Sequence, residues 1–413
     1  MLFVAQDRKS STPAAPAYHD ATIAADRNWR GRLELLVVQP TPFCNLDCTY
    51  CYLPERANRS VMATETVELI ARRVFAEGLP GTSLAVVWHA GEPLVVAPPW
   101  YEQAFAAFAR HVPHGFTIVH HFQTNGVLID ARWCALMRAH GIRVGVSIDG
   151  PAWLHDRRRR TRDGSGTHAR VMAGIAWLRR EGIPFHAICV LTRDSLAHAD
   201  ALFDFFADLG CTELCLNVEE IEGVNHRSSL HGHEAEAQFR LFFDRIVERW
   251  SAAPTTLRVR EVDGVLAALR DPRFGDYEGS SQNQPGHLLS VGWDGAFATY
   301  SPELLGQTHP RLGALELGNV TADALVPAAT NRHFDTVAAE IARGVRRCRA
   351  TCKYFDFCRG GAPANKLGET GTFAATRTMH CRLSQQVVVD CVLGRLEQLL
   401  DPRATASSPS ALR

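Results

Sequence analysis

The chain has 413 residues, 44 basic and 44 acidic side chains, and so a formal net charge of zero, with 12 cysteines. That length allows two or three domains at roughly 100 to 200 residues each, and the balanced charge excludes a whole-molecule field that would draw the chain to nucleic acid or to an anionic membrane. Apolar runs such as 33–38 and 84–88 are far shorter than the ~20 residues a membrane-spanning helix needs, and the N-terminus lacks a basic-then-apolar signal pattern. The expectation is a cytoplasmic protein with no nucleic-acid and no membrane partner, whose cysteines are metal ligands or buried thiols rather than a disulfide framework.

Residues 1–31 are rich in Ala, Pro, Ser and Asp without a sustained period and read as a flexible tail. From Leu33 onward, apolar β-branched runs alternate with segments of helical period. Strands are expected over 33–39, 84–89, 116–123, 143–148, 184–191 and 213–218, and helices over 64–77, 100–110, 130–140, 168–180 and 197–209. In the first helix Thr64 is the candidate N-cap, Val67, Ile70, Ala71, Val74 and Phe75 form the apolar stripe, and Gly78 is the stop. Six near-continuous apolar strands alternating with five helices imply a parallel sheet covered by helices, with ligands at the carboxyl ends of the strands. The rhythm breaks after 225. Residues 226–287 hold one helix, over 234–250, and a linker, and are a candidate substrate contact. A second module is expected over 288–400, with a strand pair around Asp294-Gly295 and a C-terminal helix over 383–400, followed by a tail over 401–413.

The loop after the first strand carries Cys44, Cys48 and Cys51 as Cys-x3-Cys-x2-Cys. Three thiolates can hold three irons of a cubane and leave the fourth open to a ligand from outside the chain. A zinc knuckle would want four ligands, usually as paired Cys-x2-Cys hooks. The triplet resembles the signature of radical S-adenosylmethionine (SAM) enzymes. The resemblance implies that the open iron of a [4Fe-4S] cluster chelates SAM, that one electron cleaves SAM to a 5'-deoxyadenosyl radical, and that Tyr50 packs by the adenine. An external one-electron reductant such as flavodoxin or ferredoxin is implied with it. The fold class that follows is α/β: a partial (β/α)6 TIM-like radical SAM barrel over 32–225.

The later strand ends match the same family in order. His89-Ala90-Gly91-Glu92-Pro93 resembles its Gly-Gly-Glu-Pro motif, whose backbone and Glu receive the methionine ammonium, with Ala90 in place of the first Gly. Asn125, Ser147 and Asp149 stand where the family binds ribose hydroxyls and the methionine carboxylate, although Asn-Gly and Asp-Gly-Pro also make turns unaided. In the run Arg157 to Arg160 the family's register points to Arg159 as partner of the SAM carboxylate, a geometry that Arg suits. The bland alternative for this run is a solvated loop. Glu219, Glu220 and Glu222 follow the sixth strand, where they can touch substrate or only solubilise a loop.

Cys348, Cys352, Cys358 and Cys381 supply four thiolates in one module, enough to saturate a cubane or a zinc ion. The segment resembles the SPASM extension of peptide-modifying radical SAM enzymes and implies one auxiliary [4Fe-4S] cluster. Full SPASM domains hold two. Here the early family cysteine falls near Tyr300 and Ser301, and another falls at Ala362 or a neighbour, so the second auxiliary cluster is expected to be missing. Cys134, Cys189, Cys211, Cys215 and Cys391 read as buried thiols. The phrases 37–41, 88–94, 217–225, 301–306 and 360–382 resemble the cyclophane-forming peptide maturases of the GrrM/OscB type, related to FxsB. That resemblance implies a ribosomal precursor peptide as substrate and a carbon-carbon crosslink from a side-chain Cβ to an aromatic ring. Glu303, Glu219 and Glu220 are the candidate bases for the ring proton, with turn-capping as the structural alternative for Glu303. Other SPASM chemistries (thioether, formylglycine, epimer) and a non-catalytic peptide-binding metal protein are the rivals.

Overall fold

Strands whose residues are apolar on both faces must be covered on both faces, and here the covering comes from helices on one side and from loops and a second module on the other. The computed structural model describes residues 29–252, 257–328 and 332–401. Its elements run β1 Leu33–Val38, α1 Thr64–Ala76, β2 Pro80–Trp88, α2 Pro98–His111, β3 Thr117–Thr124, α3 Ala131–Ala139, β4 Arg143–Ser147, α4 Ala152–Arg158, α5 His168–Arg180, β5 Phe185–Leu191, α6 Ala199–Leu209 and β6 Glu213–Val218. Then come α7 His233–Ala252, β7 Arg258–Val259, α8 Arg260–Arg270, β8 Leu288–Val291, β9 Ala296–Thr299, β10 Thr308–His309, β11 Gly313–Ala314 and β12 Gly318–Asn319. The chain continues through α9 Leu325–Ala328, α10 Arg332–Thr351, α11 Phe355–Cys358, α12 Pro363–Thr370 and α13 Met379–Cys381, a π-helical turn Arg382–Val387, and α14 Val388–Leu400.

The fold is the expected α/β partial barrel. Strands β1 to β6 lie in chain order, each parallel to the next, within a ten-stranded sheet ordered β12-β9-β8-β1-β2-β3-β4-β5-β6-β7. The register pairs Val38 with Trp88, Trp88 with Phe122, Thr124 with Val146, Ser147 with Ile188 and Leu191 with Val218. The carboxyl ends therefore stand level, and their loops emerge on one edge. On the other side of β1, the strand β8 pairs in parallel and then turns through Gly295 into antiparallel β9. The sheet is thus continuous across the expected domain boundary at 288.

Several boundaries differ from the sequence reading. Thr64 is the first helical residue of α1 rather than its cap, since Ala63 occupies the N-cap position with no side-chain hydrogen bond. Asp130 does cap α3, accepting from the amides of Arg132 and Trp133 at 2.9 and 3.1 Å. The arginine run, for which a solvated loop was the bland alternative, instead begins within α4, whose Leu154 and His155 are buried. Helix α8 lies between the expected helix over 234–250 and the linker that follows, and neither it nor α10 was anticipated. The expected terminal helix instead starts at Met379 and passes through the π-helical turn beside Cys381. Most of the two tails lies outside the described residues, but Trp29 is buried against Phe334, with ring centroids 5.8 Å apart.

One aromatic cluster fixes the second strand end. The ring of Trp88 is fully buried against Trp100, Tyr101, Phe105 and Phe108, with centroids 5.5 to 6.1 Å away. The Tyr101 hydroxyl donates to the Pro93 carbonyl at 2.8 Å, so the loop leaving β2 is tied to α2. Such edge-to-face pairs add about 0.5 to 1.5 kcal/mol each beyond area burial.

Candidate active site at the carboxyl edge of the sheet

The loop with Cys44, Cys48 and Cys51 is held by backbone bonds to the segment after β4. The Asp47 amide donates to the Arg160 carbonyl at 2.8 Å and the Thr49 amide to the Arg158 carbonyl at 3.0 Å, while the Arg162 guanidinium donates to the Cys44 carbonyl at 3.0 and 3.1 Å. The three thiols are half-buried and free. Burial pushes the Cys48 thiol up to about 11, with the Arg159 charge pulling the other way, so any iron bound here must displace a proton.

Against this loop lies the His89-Ala90-Gly91-Glu92 turn. Gly91 has φ +72°, and a Cβ there would sit 2.4 Å from the Thr41 carbonyl oxygen and 2.7 Å from that of Phe43, so only glycine fits. Ala90 also lies in the left-handed region at φ +69°, an ordinary conformation for the family's glycine and a strained one for alanine. The buried Glu92 carboxylate accepts from the Leu94 amide at 2.9 Å, the Thr124 hydroxyl at 2.6 Å and the Asn125 amide at 2.7 Å. Desolvation outweighs these donors and raises its pKa to about 7. Burial lowers His89 to about 3, so its imidazole is neutral; its Nε2 lies 3.3 Å from the Tyr52 hydroxyl.

Asn125, Ser147, Asp149 and Arg159 converge on the same edge. The Asn125 amide donates to Asn45 Oδ1 at 2.7 Å and lies 3.9 Å from Cys44 Sγ, and Ser147 Oγ accepts from Gln123 at 3.1 Å. Asp149 accepts from the Tyr50 hydroxyl at 2.5 Å and the Val190 amide at 3.0 Å, and Arg159 Nε stands 3.0 Å from Asp149 Oδ1. Arg159 is the inward member of the arginine run. Arg157 and Arg158 pair with Asp194 outside, and Arg160 is exposed. His155 supports this arrangement: its Nδ1 accepts from the Asp149 amide at 3.2 Å and its Nε2 lies 2.9 Å from the Thr167 hydroxyl.

The three carboxylates after β6 separate. Glu219 turns away, accepting from the amide of Ser229 at 2.7 Å and from its hydroxyl, and so ties down the following loop rather than facing the edge. Glu220 faces His380, 3.2 Å from its Nε2. Glu222, absent from the candidate bases, accepts from the Asn365 amide at 2.5 Å; burial first, and then the charges of Glu220 and Glu303, push its pKa up. Glu303 is buried and accepts from Ser301 at the start of a short 3-10 turn, Pro302–Leu304. Tyr52, also unanticipated, completes the group. Its hydroxyl is pushed up by burial and then by Glu303, Cys51, Glu222 and Glu220. The only sequence signal for Tyr52 was its place next to Cys51, and for His380 its place before Cys381.

Close backbone approaches lock this loop between the two cysteine modules. A Cβ at Gly223 would meet the Tyr52 carbonyl oxygen at 2.2 Å, and one at Gly368 of α12 would meet the Ile221 carbonyl oxygen at 2.0 Å. Beyond it Cys348, Cys352, Cys358 and Cys381 line one cavity of about 230 Å³, together with Lys366, Asn365 and His380. A zinc ion needs donors about 2.3 Å from a single point. Among the described residues no three His, Cys, Asp or Glu side chains converge in that way. Four thiols ringing one cavity match the four sulfur ligands that a cubane takes. Cys134, Cys189, Cys211, Cys215 and Cys391 are buried elsewhere, as expected.

The radical SAM superfamily model matches residues 38–206, from the end of β1 into α6. A serine-type anaerobic sulfatase-maturating enzyme of Klebsiella aerogenes is 30% identical over 329 residues, 78% of each chain. This chain belongs to the radical SAM superfamily. An uncharacterized protein of Synechocystis is 37% identical over 374 residues, 90% of this chain and 94% of that one. Among solved structures, native anSMEcpe with bound AdoMet and Cp18Cys peptide superposes at TM-score 0.71 and 20% identity, over 88% of this chain and 98% of that one. Streptococcus suis SuiB bound to its precursor peptide SuiA superposes at TM-score 0.61 and 16% identity, over 86% and 77%. Radical SAM membership makes the chain an enzyme using SAM and a [4Fe-4S] cluster, with the cysteine-rich C-terminal module suited to an auxiliary cluster. Among the described residues no helix is long and apolar enough to cross a membrane.

Proposed function

We propose that this radical SAM enzyme modifies a ribosomally made precursor peptide, joining an aromatic side chain to the Cβ of a nearby residue as a cyclophane. The carrying observation is the group of buried Glu303 and Glu222 with half-buried Glu220 and Tyr52, which lies between the two cysteine modules. A peptide substrate is supported by the relatives, since anSMEcpe and SuiB both have structures with bound peptides. When bound, a cluster at Cys44, Cys48 and Cys51 with SAM supplies the radical that takes a Cβ hydrogen, and a cluster at Cys348, Cys352, Cys358 and Cys381 supplies a one-electron sink.

Forming the new bond from a Cβ–H and a ring C–H releases one hydrogen atom, one proton and one electron. The proton is what this chain must take itself. Glu303 is the proposed base, and Glu220, whose carboxyl is held low beside His380, is next in line. Glu219, engaged by Ser229, drops out of that role. Tyr50, Asp149 and Arg159 hold the adenine and carboxylate ends of SAM, Glu92 and the turn around Gly91 hold its ammonium, and Asn125 and Ser147 reach its polar groups. Residues 226–287 contact the peptide. A reduced cytoplasmic setting, with a flavodoxin or ferredoxin as electron donor, suits the free thiols.

Co-expression with the short reading frame beside the gene, followed by tandem mass spectrometry, tests the proposal: a loss of two hydrogens per crosslink, with fragmentation blocked between the joined residues, is expected. A second reading is favoured by the 30% identity to a serine-type maturase, namely oxidation of a serine to formylglycine. That product loses the same two hydrogens but leaves an aldehyde. Capture by a hydrazide would therefore refute the crosslink.

A further inference from the structure

Lys366 lies in α12 and is buried, with only 6% of its surface exposed. Its Nζ stands 3.5 Å from Cys348 Sγ, and it forms no salt bridge to a carboxylate among the described residues. It opens on the cavity ringed by Cys348, Cys352, Cys358 and Cys381. An uncompensated buried ammonium is expensive by several kcal/mol, yet the surrounding helices hold it there. The packing leaves little slack: α10 approaches so closely that a Cβ at Gly344 would lie 3.3 Å from this Nζ and 2.3 Å from the Phe373 carbonyl oxygen.

The other charged groups at the cavity are engaged elsewhere. The Arg359 guanidinium stacks on the Tyr277 ring, 3.2 Å from its centroid, and reaches Asp271 at 3.6 Å. His380 faces Glu220. Lys366 directs its charge at a cysteine sulfur.

We infer that Lys366 is the built-in counter-charge of the auxiliary cluster, donating a hydrogen bond to the Cys348 thiolate and setting the cluster's reduction potential. The inference rests on the reading that the four cysteines hold a [4Fe-4S] cluster. Four thiolates around such a core carry net negative charge, and taking up one more electron increases it, so an adjacent ammonium stabilises the reduced state and raises the potential. That is the direction an electron sink requires. The residue acts through the cluster and is a positioning residue rather than a catalytic one.

The test is an anaerobic redox titration, followed by electron paramagnetic resonance, of the full chain as wild type, Lys366→Met and Lys366→Arg, with iron counted in each. The wild type is expected to hold about eight irons, four per cubane. Lys366→Met should keep them while its auxiliary potential falls by a tenfold or greater change in the reduction equilibrium, about 59 mV for one electron, and Lys366→Arg should stay near the wild type. If Lys366→Met loses the second cluster but Lys366→Arg retains it, a charge requirement is supported equally. Full iron with an unmoved potential in Lys366→Met overturns the inference alone, and loss of the cluster in both variants reassigns Lys366 to packing and overturns it too. About four irons in the wild type would refute the four-cysteine cluster itself, and the inference with it.

Discussion

Replacing Gly91 with alanine should unseat the cluster loop while leaving the rest of the fold standing. The backbone at φ +72° already disfavours any side chain by about 1 to 2 kcal/mol. The new Cβ would also press 2.4 Å from the Thr41 carbonyl oxygen, where ordinary contact begins at 3.4 Å, so the strand end carrying the Cys44 loop must retreat by about 1 Å. That retreat breaks the bond from the Glu92 amide to the Phe43 carbonyl, now 2.8 Å. We expect a total loss of at least about 2 kcal/mol, and iron falling from about eight to about four per chain as the three-cysteine site empties. Ala90→Gly is the matched control. It relieves the strain at φ +69° and should gain up to about 1 kcal/mol with unchanged iron. Anaerobic iron analysis and urea unfolding read both effects. A Gly91→Ala protein with full iron and an unshifted urea midpoint would refute the steric reasoning.

Cys358→Ala should reduce iron to about four per chain yet still cleave SAM to 5'-deoxyadenosine without crosslinked product, as seen by chromatography of the reaction; loss of SAM cleavage would contradict two independent sites. Glu92 gives a pH signature: its folded pKa, raised to about 7, lies above the unfolded value, so the ligand-free protein loses stability as pH rises from about 4.5 towards 7, by about 3 kcal/mol, and is level above. An ammonium placed on that carboxylate favours the ionised form, so SAM affinity should climb by up to tenfold per pH unit below 7 and then flatten; calorimetry on Glu92→Gln should show weaker, pH-independent binding, and a retained slope would clear Glu92. Glu303→Gln should abolish crosslinking while 5'-deoxyadenosine still forms, whereas Glu219→Gln should leave chemistry intact and loosen the 226–232 loop to proteolysis. Unchanged crosslinking in Glu303→Gln would sink its role as base.

The barrel was legible because its signals are local. Strands such as Glu213–Val218 and helices such as His168–Arg180 carry their pattern within one stretch, and the strand-end rule then pointed to the loops that gather here. What stayed hidden depended on partners distant in sequence. Nothing near Glu222 announces Asn365, 143 residues away, and nothing in the run 219–222 says that the first carboxylate is captured by Ser229 while the others turn inward. Helix α10 did have a readable stripe in Phe334, Val337, Ile341 and Val345, but its arginine-rich other face masked it. Trp29, embedded in a polar composition, is buried only because Phe334 comes back to meet it.

The pairing of β8 with β1 has a practical corollary. Residues 288–291 hydrogen-bond along Leu35 to Val38, the strand that leads straight into the Cys44 loop. A fragment ending at 225 would leave that strand with a bare row of amides and carbonyls beside its most valuable loop, an invitation to pair with another copy. Activity of the isolated barrel is therefore the wrong assay for dissecting the two modules; point variants in the intact chain keep the edge covered.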